Sequence, residues 1–279
     1  MPPWVSDAMA IRLTVFGAAF LLLALIEIGA PRRQAPPARL RRWPTNLGLM
    51  ALGAVLSRFA LPLAVVEAGA LTTDRGWGLL GAAGVARSPL GVIAAVISLD
   101  FAIYAQHVLM HRVPVLWRLH RVHHADPAFD ASTGLRFHPL ESLLSSAFKI
   151  ALVVALGASA VVVVTFEILL NVSAMFNHAN LRLPLGVDAT LRRVLVTPDM
   201  HRVHHSVVPA ELNRNFGFAL PWWDRLCRTY QDQPAAGHET MAIGLSSIAP
   251  ARAQRLVAML VEPARTAASE PGVALPRRP

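Results

Sequence analysis

Between Leu143 and Met175 the chain carries two charges, Lys149 and Glu167, in an otherwise largely apolar run. In lipid, every backbone N–H and C=O must find its partner within the segment, so such a run has to be helical. As helix, its roughly 33 residues reach about 50 Å. The hydrocarbon core is about 30 Å thick, which makes the run long for one crossing and short for two. Gly157-Ala-Ser-Ala160 lies near its middle. That predicts two short helices joined by a small-residue turn, returning the chain to the side it left.

The remaining segments extend this architecture. Leu13 to Ala30 is apolar except for Thr14 and Glu27, and it runs into Pro31-Arg32-Arg33. It lacks a clear small-x-small cleavage site, which favours a retained transmembrane helix over a signal peptide. Pro31 to Arg42 holds five arginines and three prolines, and predicts a cytoplasmic loop. Asn46 to about Val66 predicts a second span, with Arg58 inside it. Gly76 to Ala86 is apolar but short, as for an interfacial or re-entrant segment. Pro89 to Met110 predicts the third span, with proline in its first turn. After Met175 the chain turns polar and aromatic, as for a cap laid against the membrane. Ala251 to Val261, between Pro250 and Pro263, predicts a short amphipathic helix with Arg252 and Arg255 among headgroups. The Ala-, Pro- and Arg-rich end is expected to be disordered.

Composition agrees. The chain is 54% hydrophobic and 15% charged, against about 25% charged in an average soluble domain. The expected fold class is all-α: an integral membrane helical bundle with a cytoplasmic, histidine-rich helical cap. The net charge of +9 comes mostly from arginine, and reads as positive-inside topology. The aromatic-interleaved basic stripe of a nucleic-acid binder is absent. One cysteine, Cys227, excludes an internal disulfide, a cysteine-ligated zinc ribbon and an iron–sulfur cluster.

Eight of the eleven histidines fall into three clusters: His107 with His111, His120 with His123 and His124, and His201 with His204 and His205. The last two clusters are the same word, His-Arg-Val-His-His. On a helix, residues three and four apart share a face, so each cluster aims its imidazoles one way. Neutral imidazole suits Fe, Zn, Cu or Ni. The three clusters supply more nitrogen than one tetrahedral ion can take, so two metal ions is the simplest reading. A single site also requires all three clusters on one side of the membrane, which the even number of crossings between Leu143 and Met175 provides.

Smaller words surround these histidines: Asp100, Leu116-Trp117, Phe137-His138-Pro-Leu-Glu141, Asn177-His178-Ala-Asn180, Thr197-Pro198, Asn215-Phe216-Gly217 and Trp223-Asp224. In this order, over roughly residues 95 to 230, the chain resembles the sterol desaturase / fatty acid hydroxylase superfamily of integral membrane di-iron oxygenases. It departs at Leu226-Cys227-Arg228-Thr229-Tyr230, where that superfamily often has Leu-Phe-Gly-Thr-Tyr. The first 90 residues carry no such likeness.

The resemblance implies two iron ions, O2 as co-substrate, and hydroxylation or desaturation of a lipid of sterol or fatty acyl type. No Gly-x-Gly-x-x-Gly nucleotide fingerprint is present, so electrons are expected from a separate reductase, ferredoxin or cytochrome. The expected ligands are His107, His111, His120, His123, His124, His178, His201, His204 and His205. Candidates for a ligand or a supporting partner are His138, Asp100, Asp199, Asn177 and Asn180, with Glu141 and Asp224 as further supporting partners. His238 lacks the second histidine of a zinc-protease motif and is expected at the surface. Two other classes fit the residues: a zinc-dependent membrane hydrolase, and a non-enzymatic membrane metal carrier. The domain reading is 1–88 for N-terminal membrane helices and basic loop, 89–232 for the hydroxylase-like di-iron domain, and 233–279 for the amphipathic helix and tail. A multi-pass protein of a bacterial inner membrane, histidines facing the cytoplasm, is the expected setting.

Overall fold

The computed structural model describes residues 3–34, 39–61 and 63–265. Every regular element among them is helical, and β pairing is confined to two isolated bridges. The helices are α1 (Pro3–Gly29), α2 (Arg39–Ala60), α3 (Val65–Arg75), α4 (Gly78–Ala82), α5 (Pro89–Arg112), α6 (Pro114–His124), α7 (Pro139–Leu156) and α8 (Ala160–Asn177). Shorter ones follow: α9 (Leu185–Leu191), α10 (Pro198–His204), α11 (Pro209–Leu212), α12 (Trp222–Leu226), α13 (Pro250–Ala253) and α14 (Leu256–Leu260). Five stretches are long and apolar enough to cross a membrane: Asp7–Gly29, Arg39–Ala82, Pro89–Arg112, Pro139–Leu156 and Ala160–Asn177. Their outward faces carry exposed large apolar side chains such as Leu22, Leu25, Ile93, Val161 and Leu169. A contiguous apolar surface of this kind belongs against lipid.

The expected hairpin is α7 and α8. Gly157 closes α7 in the left-handed conformation, φ 72° and ψ 34°, which glycine adopts without a Cβ penalty. Ser159 then caps α8, its hydroxyl accepting from the Val162 N–H at 3.4 Å. α3 and α4 pack at this turn, Thr72 donating to the Ala158 carbonyl at 3.0 Å. The opposite end of the bundle carries the cap. There the exit of α1 is stitched to the segment after α8: Arg32 N–H donates to Asn180 O, and Arg182 N–H to Ala30 O, both at 3.0 Å. The basic segment after α1 and the histidine-bearing cap therefore lie at the same end.

Several expected boundaries move. Helix α2 begins at Arg39, inside the segment read as a loop to Arg42, and residues 35–38 lie outside the described ones. The cause is burial by pairing. Arg42 is 1% exposed; its Nε and Nη1 donate to Asp126 at 2.6 Å and Asp130 at 2.8 Å, so a basic residue joins the helix interior. The second span ends at Ala60 rather than Val66, and Val65 and Val66 open α3. The predicted 251–261 helix is two short ones, α13 and α14. Arg136 takes the Ala253 carbonyl at 2.7 Å and the Thr45 hydroxyl takes the Gln254 carbonyl at 2.8 Å, so these carbonyls bond to side chains. Arg252 bonds to Glu262 at 3.0 Å instead of reaching for headgroups. The tail expected to be disordered, from residue 266, lies outside the described residues.

Candidate metal centre

Local sequence explains how the histidines meet. Pro114 restricts the residue before it to extended backbone, and Val113 adopts φ −97°, ψ 116°. The chain therefore breaks after α5, and α6 folds back on it. His107 and His111 on α5 then face His120 and His124 on α6. The α7–α8 hairpin returns His178 to the same end as the C-cap of α8. Gly134 lets the loop pass close beneath, since a Cβ there would meet the Ala174 carbonyl oxygen at 2.3 Å. Thr197 and Pro198 start α10, which carries His201 and His204, with His205 as its C-cap.

All nine expected ligands come together, buried, in two groups. One is His107, His111, His120, His124 and His204; the other is His123, His178, His201 and His205. Within each group the nitrogens lie within 4.8 Å of one another. Nε2–Nε2 separations are 3.0 Å for His107–His120 and His107–His204, and 3.1 Å for His111–His124. In the second group they are 3.1 Å for His178–His123 and His178–His205, and 3.2 Å for His178–His201.

For four of the rings the outer nitrogen fixes which inner nitrogen is free. Nδ1 of His107 donates to the Phe216 carbonyl, of His178 to the Ala174 carbonyl and of His204 to the Arg214 carbonyl, each at 2.7 Å. Nδ1 of His120 donates to Glu141 Oε1 at 2.6 Å. A neutral ring with its proton on Nδ1 presents a bare lone pair at Nε2. The 3.0 Å contacts among His107, His120 and His204 are therefore lone pair against lone pair, which repel unless a cation sits between them. Two nitrogens bound at about 2.1 Å to one ion, at right angles, would stand about 3.0 Å apart. The donor set fits a metal in each group. Burial is the main cause holding His123, His124, His201, His204 and His205 well below the ordinary imidazole range, and it brings His178 down to about 3. The rings thus stay neutral and able to bind metal.

The other five outer nitrogens, on His111, His123, His124, His201 and His205, have no hydrogen-bond partner. Aromatic packing positions several of these rings. His123 stacks on Phe137 at 4.7 Å and 5°. Trp117 lies 4.9 Å from His111 and 5.5 Å from His124. Phe129 lies 5.1 Å from His205.

The remaining candidates fall outside both groups. His138 caps α7: Nδ1 accepts from the Leu140 N–H at 3.2 Å and Nε2 donates to the Leu260 carbonyl at 3.1 Å. Asp100 accepts from Trp223 Nε1 at 2.7 Å. Asp199 pairs with Arg202 and Arg32. Asn177 donates to the Phe218 carbonyl at 2.9 Å, and Asn180 exchanges hydrogen bonds with the Arg33 backbone. Glu141 and Asp224 do support the site. Asp224 accepts from the N–H groups of Phe216 and Gly217, both at 2.8 Å, bracing the carbonyl that holds His107. His238, expected at the surface, is 4% exposed, because Asp199, 3.6 Å away, and Arg33, bonded to its carbonyl, close over it. Sequence reasoning missed the carbonyls of Ala174, Arg214 and Phe216, which have no side-chain signature.

A cavity of about 280 Å³ opens against His107 and His120. Phe16, Met50, Ile103 and Leu170 form apolar walls, while Glu141 to Lys149 of α7 add a polar stripe.

Comparison with known proteins agrees with this site. Residues 92–229 match the family model for fatty acid hydroxylase. An ornithine lipid hydroxylase of Rhizobium tropici is 33% identical over 147 residues, 51% of this chain and 42% of that protein. The human alkylglycerol monooxygenase is 29% identical over 160 residues, 57% of this chain and 34% of its own length. The zebrafish alkylglycerol monooxygenase is 31% identical over 137 residues, 49% of this chain and 29% of that protein. The chain thus spans less than half the length of these relatives. No solved structure gives a significant match. The matched segment contains all nine clustered histidines, and through it the chain belongs to the sterol desaturase / fatty acid hydroxylase superfamily.

Proposed function

We propose that the protein is a membrane-bound di-iron oxygenase that hydroxylates a lipid, using O2 and electrons from a separate donor protein. Residues 89–232 are its catalytic domain, and its cap faces the cytoplasm of a bacterial cell. The observation that carries this reading is the convergence of nine buried imidazoles into two groups, with the bare lone pairs of His107, His120 and His204 turned on one another. The names of the relatives, a lipid hydroxylase and alkylglycerol monooxygenases, support hydroxylation over desaturation.

Iron bound by these histidines would supply the O2 activation needed to oxidise an unactivated C–H bond. The protein's own residues do the rest. Glu141 and the carbonyls of Phe216, Ala174 and Arg214 fix the orientation of four rings before any ligand arrives. The cavity beside His107 and His120 holds the substrate with its chain along Ile103 and Leu170. Burial of the two groups excludes bulk water, which protects the site from wasteful side reactions. The exposed apolar belt of the helices gives lipid substrates direct access from the bilayer.

The test is turnover of membrane lipid by purified, iron-loaded protein with a chemical or enzymatic reductant under 18O2. The expected result is one 18O atom in a hydroxylated lipid and O2 uptake that stops when reductant is withheld. Oxygen drawn from water, or hydrolysis without O2 uptake, would refute the reading.

A further inference from the structure

The cavity is not built for a purely hydrocarbon guest. Glu141, Ser142, Ser145, Ser146 and Lys149 recur at helical spacing along one face of α7 and line it. Polar groups at membrane depth are costly unless they are paired or wetted, and they mark functional sites. The stripe ends on a charge. Lys149 Nζ donates to Glu167 Oε1 at 2.9 Å, and Arg12 pairs with Glu167 Oε2 at 2.6 Å. Two cations thus share one carboxylate, leaving the trio with a charge of +1. All three residues sit in helices long and apolar enough to cross a membrane.

Lys149 is the member that faces the cavity. An ammonium has three N–H groups. Among the described residues, Glu167 is the acceptor for one of them. The other two are available to an oxygen anion in the cavity, which would also neutralise the trio. Lys149 stands two turns along α7 from Glu141, about 12 Å at 1.5 Å per residue, and Glu141 holds His120.

We infer that the cavity seats an anionic amphiphile, a long alkyl chain ending in a carboxylate or phosphate ester, with its acidic group on Lys149. Its chain runs back about 12 Å to His107 and His120, which sets the carbon presented to the metal centre by its distance from the acidic group. Lys149 is therefore the residue that determines specificity for charge. What happens to the bound chain rests on the oxygenase reading above; the binding itself does not.

The experiment measures binding of hexadecanoate, hexadecyl phosphate and uncharged hexadecanol to the purified protein in phosphatidylcholine nanodiscs, without reductant. Iron redox and O2 play no part, so failure of the oxygenase reading leaves this result standing. Wild-type protein should bind at least one anionic probe about 10- to 100-fold more tightly than hexadecanol, the range of one charged hydrogen-bonded contact. A tighter hexadecanoate assigns a carboxylate and a tighter hexadecyl phosphate assigns a phosphate ester; either supports the inference. Lys149→Met should erase the preference with hexadecanol binding unchanged, and Lys149→Arg should keep it. Glu167→Gln, which removes the competing anion, should tighten the anionic probe. Equal binding of anionic and neutral probes by the wild type would overturn the inference. So would a preference that survives Lys149→Met, or anion binding weakened by Glu167→Gln.

Discussion

At the residue scale, the site depends on which nitrogen of each ring is free. Glu141 fixes that for His120 through one 2.6 Å hydrogen bond. Glu141→Ala should lower activity about 10- to 100-fold and weaken metal retention, as loss of a ligand's supporting partner typically does. Glu141→Gln retains an acceptor oxygen and should retain most of the metal. Iron content after dialysis, with turnover, checks both, and equal loss in the two variants would contradict the role assigned to the acceptor. His138→Ala should keep its iron, because both its nitrogens serve the α7 cap and the Leu260 carbonyl. The histidine words carried eight of the nine convergent residues in the sequence because their spacing is helical; the ninth, His178, stands alone at the end of α8. The burial of His238 was not legible: it comes from Asp199 and from Arg33, more than 200 residues upstream.

At the element scale, helix ends decide the geometry. The α7–α8 turn was legible because Gly157 breaks an apolar run at its midpoint. Gly157→Ala forces a Cβ into the left-handed region, costing about 1–2 kcal/mol, and sets it 2.2 Å from the Trp77 carbonyl oxygen. Its thermal unfolding midpoint in detergent should fall, with iron binding kept at low temperature. The start of α2 was not legible, since a run of arginines reads as a loop until its partners are known. Arg42 lies between Asp126 and Asp130, and Arg42→Met would take the ion-pair partner from buried Asp126 and leave Asp130 with the more distant Arg39. Breaking such a pair costs about 3–5 kcal/mol, so this variant should be among the least stable at neutral pH. Burial alone would raise the Asp126 carboxyl, but the Arg42 guanidinium holds it well below the usual carboxylate range. Because its folded pKa is depressed, the stability Asp126 contributes is present above its ordinary value of about 3.9 and is lost as pH falls below it. Acid unfolding of wild type and Arg42→Met, followed by circular dichroism, should converge at low pH; a gap that widens there would contradict this account.

At the scale of the whole molecule, the hydrogen bonds of Arg32 to Asn180 and of Arg182 to Ala30 put the exit of α1 and the histidine cap at one end. The α7–α8 turn and α4 lie at the other. This parity was readable from the lengths of apolar runs and the need for one metal site. The ties between α1 and the cap were not, because they join residues about 150 positions apart through backbone atoms. With exposed Cys227 replaced by serine, cysteines at exposed Ala210 and Ala83 should react with an impermeant maleimide from opposite faces of the membrane. Labelling of both from one face would break the topology.

The central claim is that the nine buried histidines form two metal sites, one for each group. The direct measurement is metal stoichiometry on purified, iron-reconstituted protein, with His124→Ala and His205→Ala alongside. Wild type should hold about two iron ions per chain, because five and four imidazoles are divided between two centres. Each variant should lose iron and O2 uptake together. One ion per chain in the wild type, or two ions and full O2 uptake in both variants, would contradict the account.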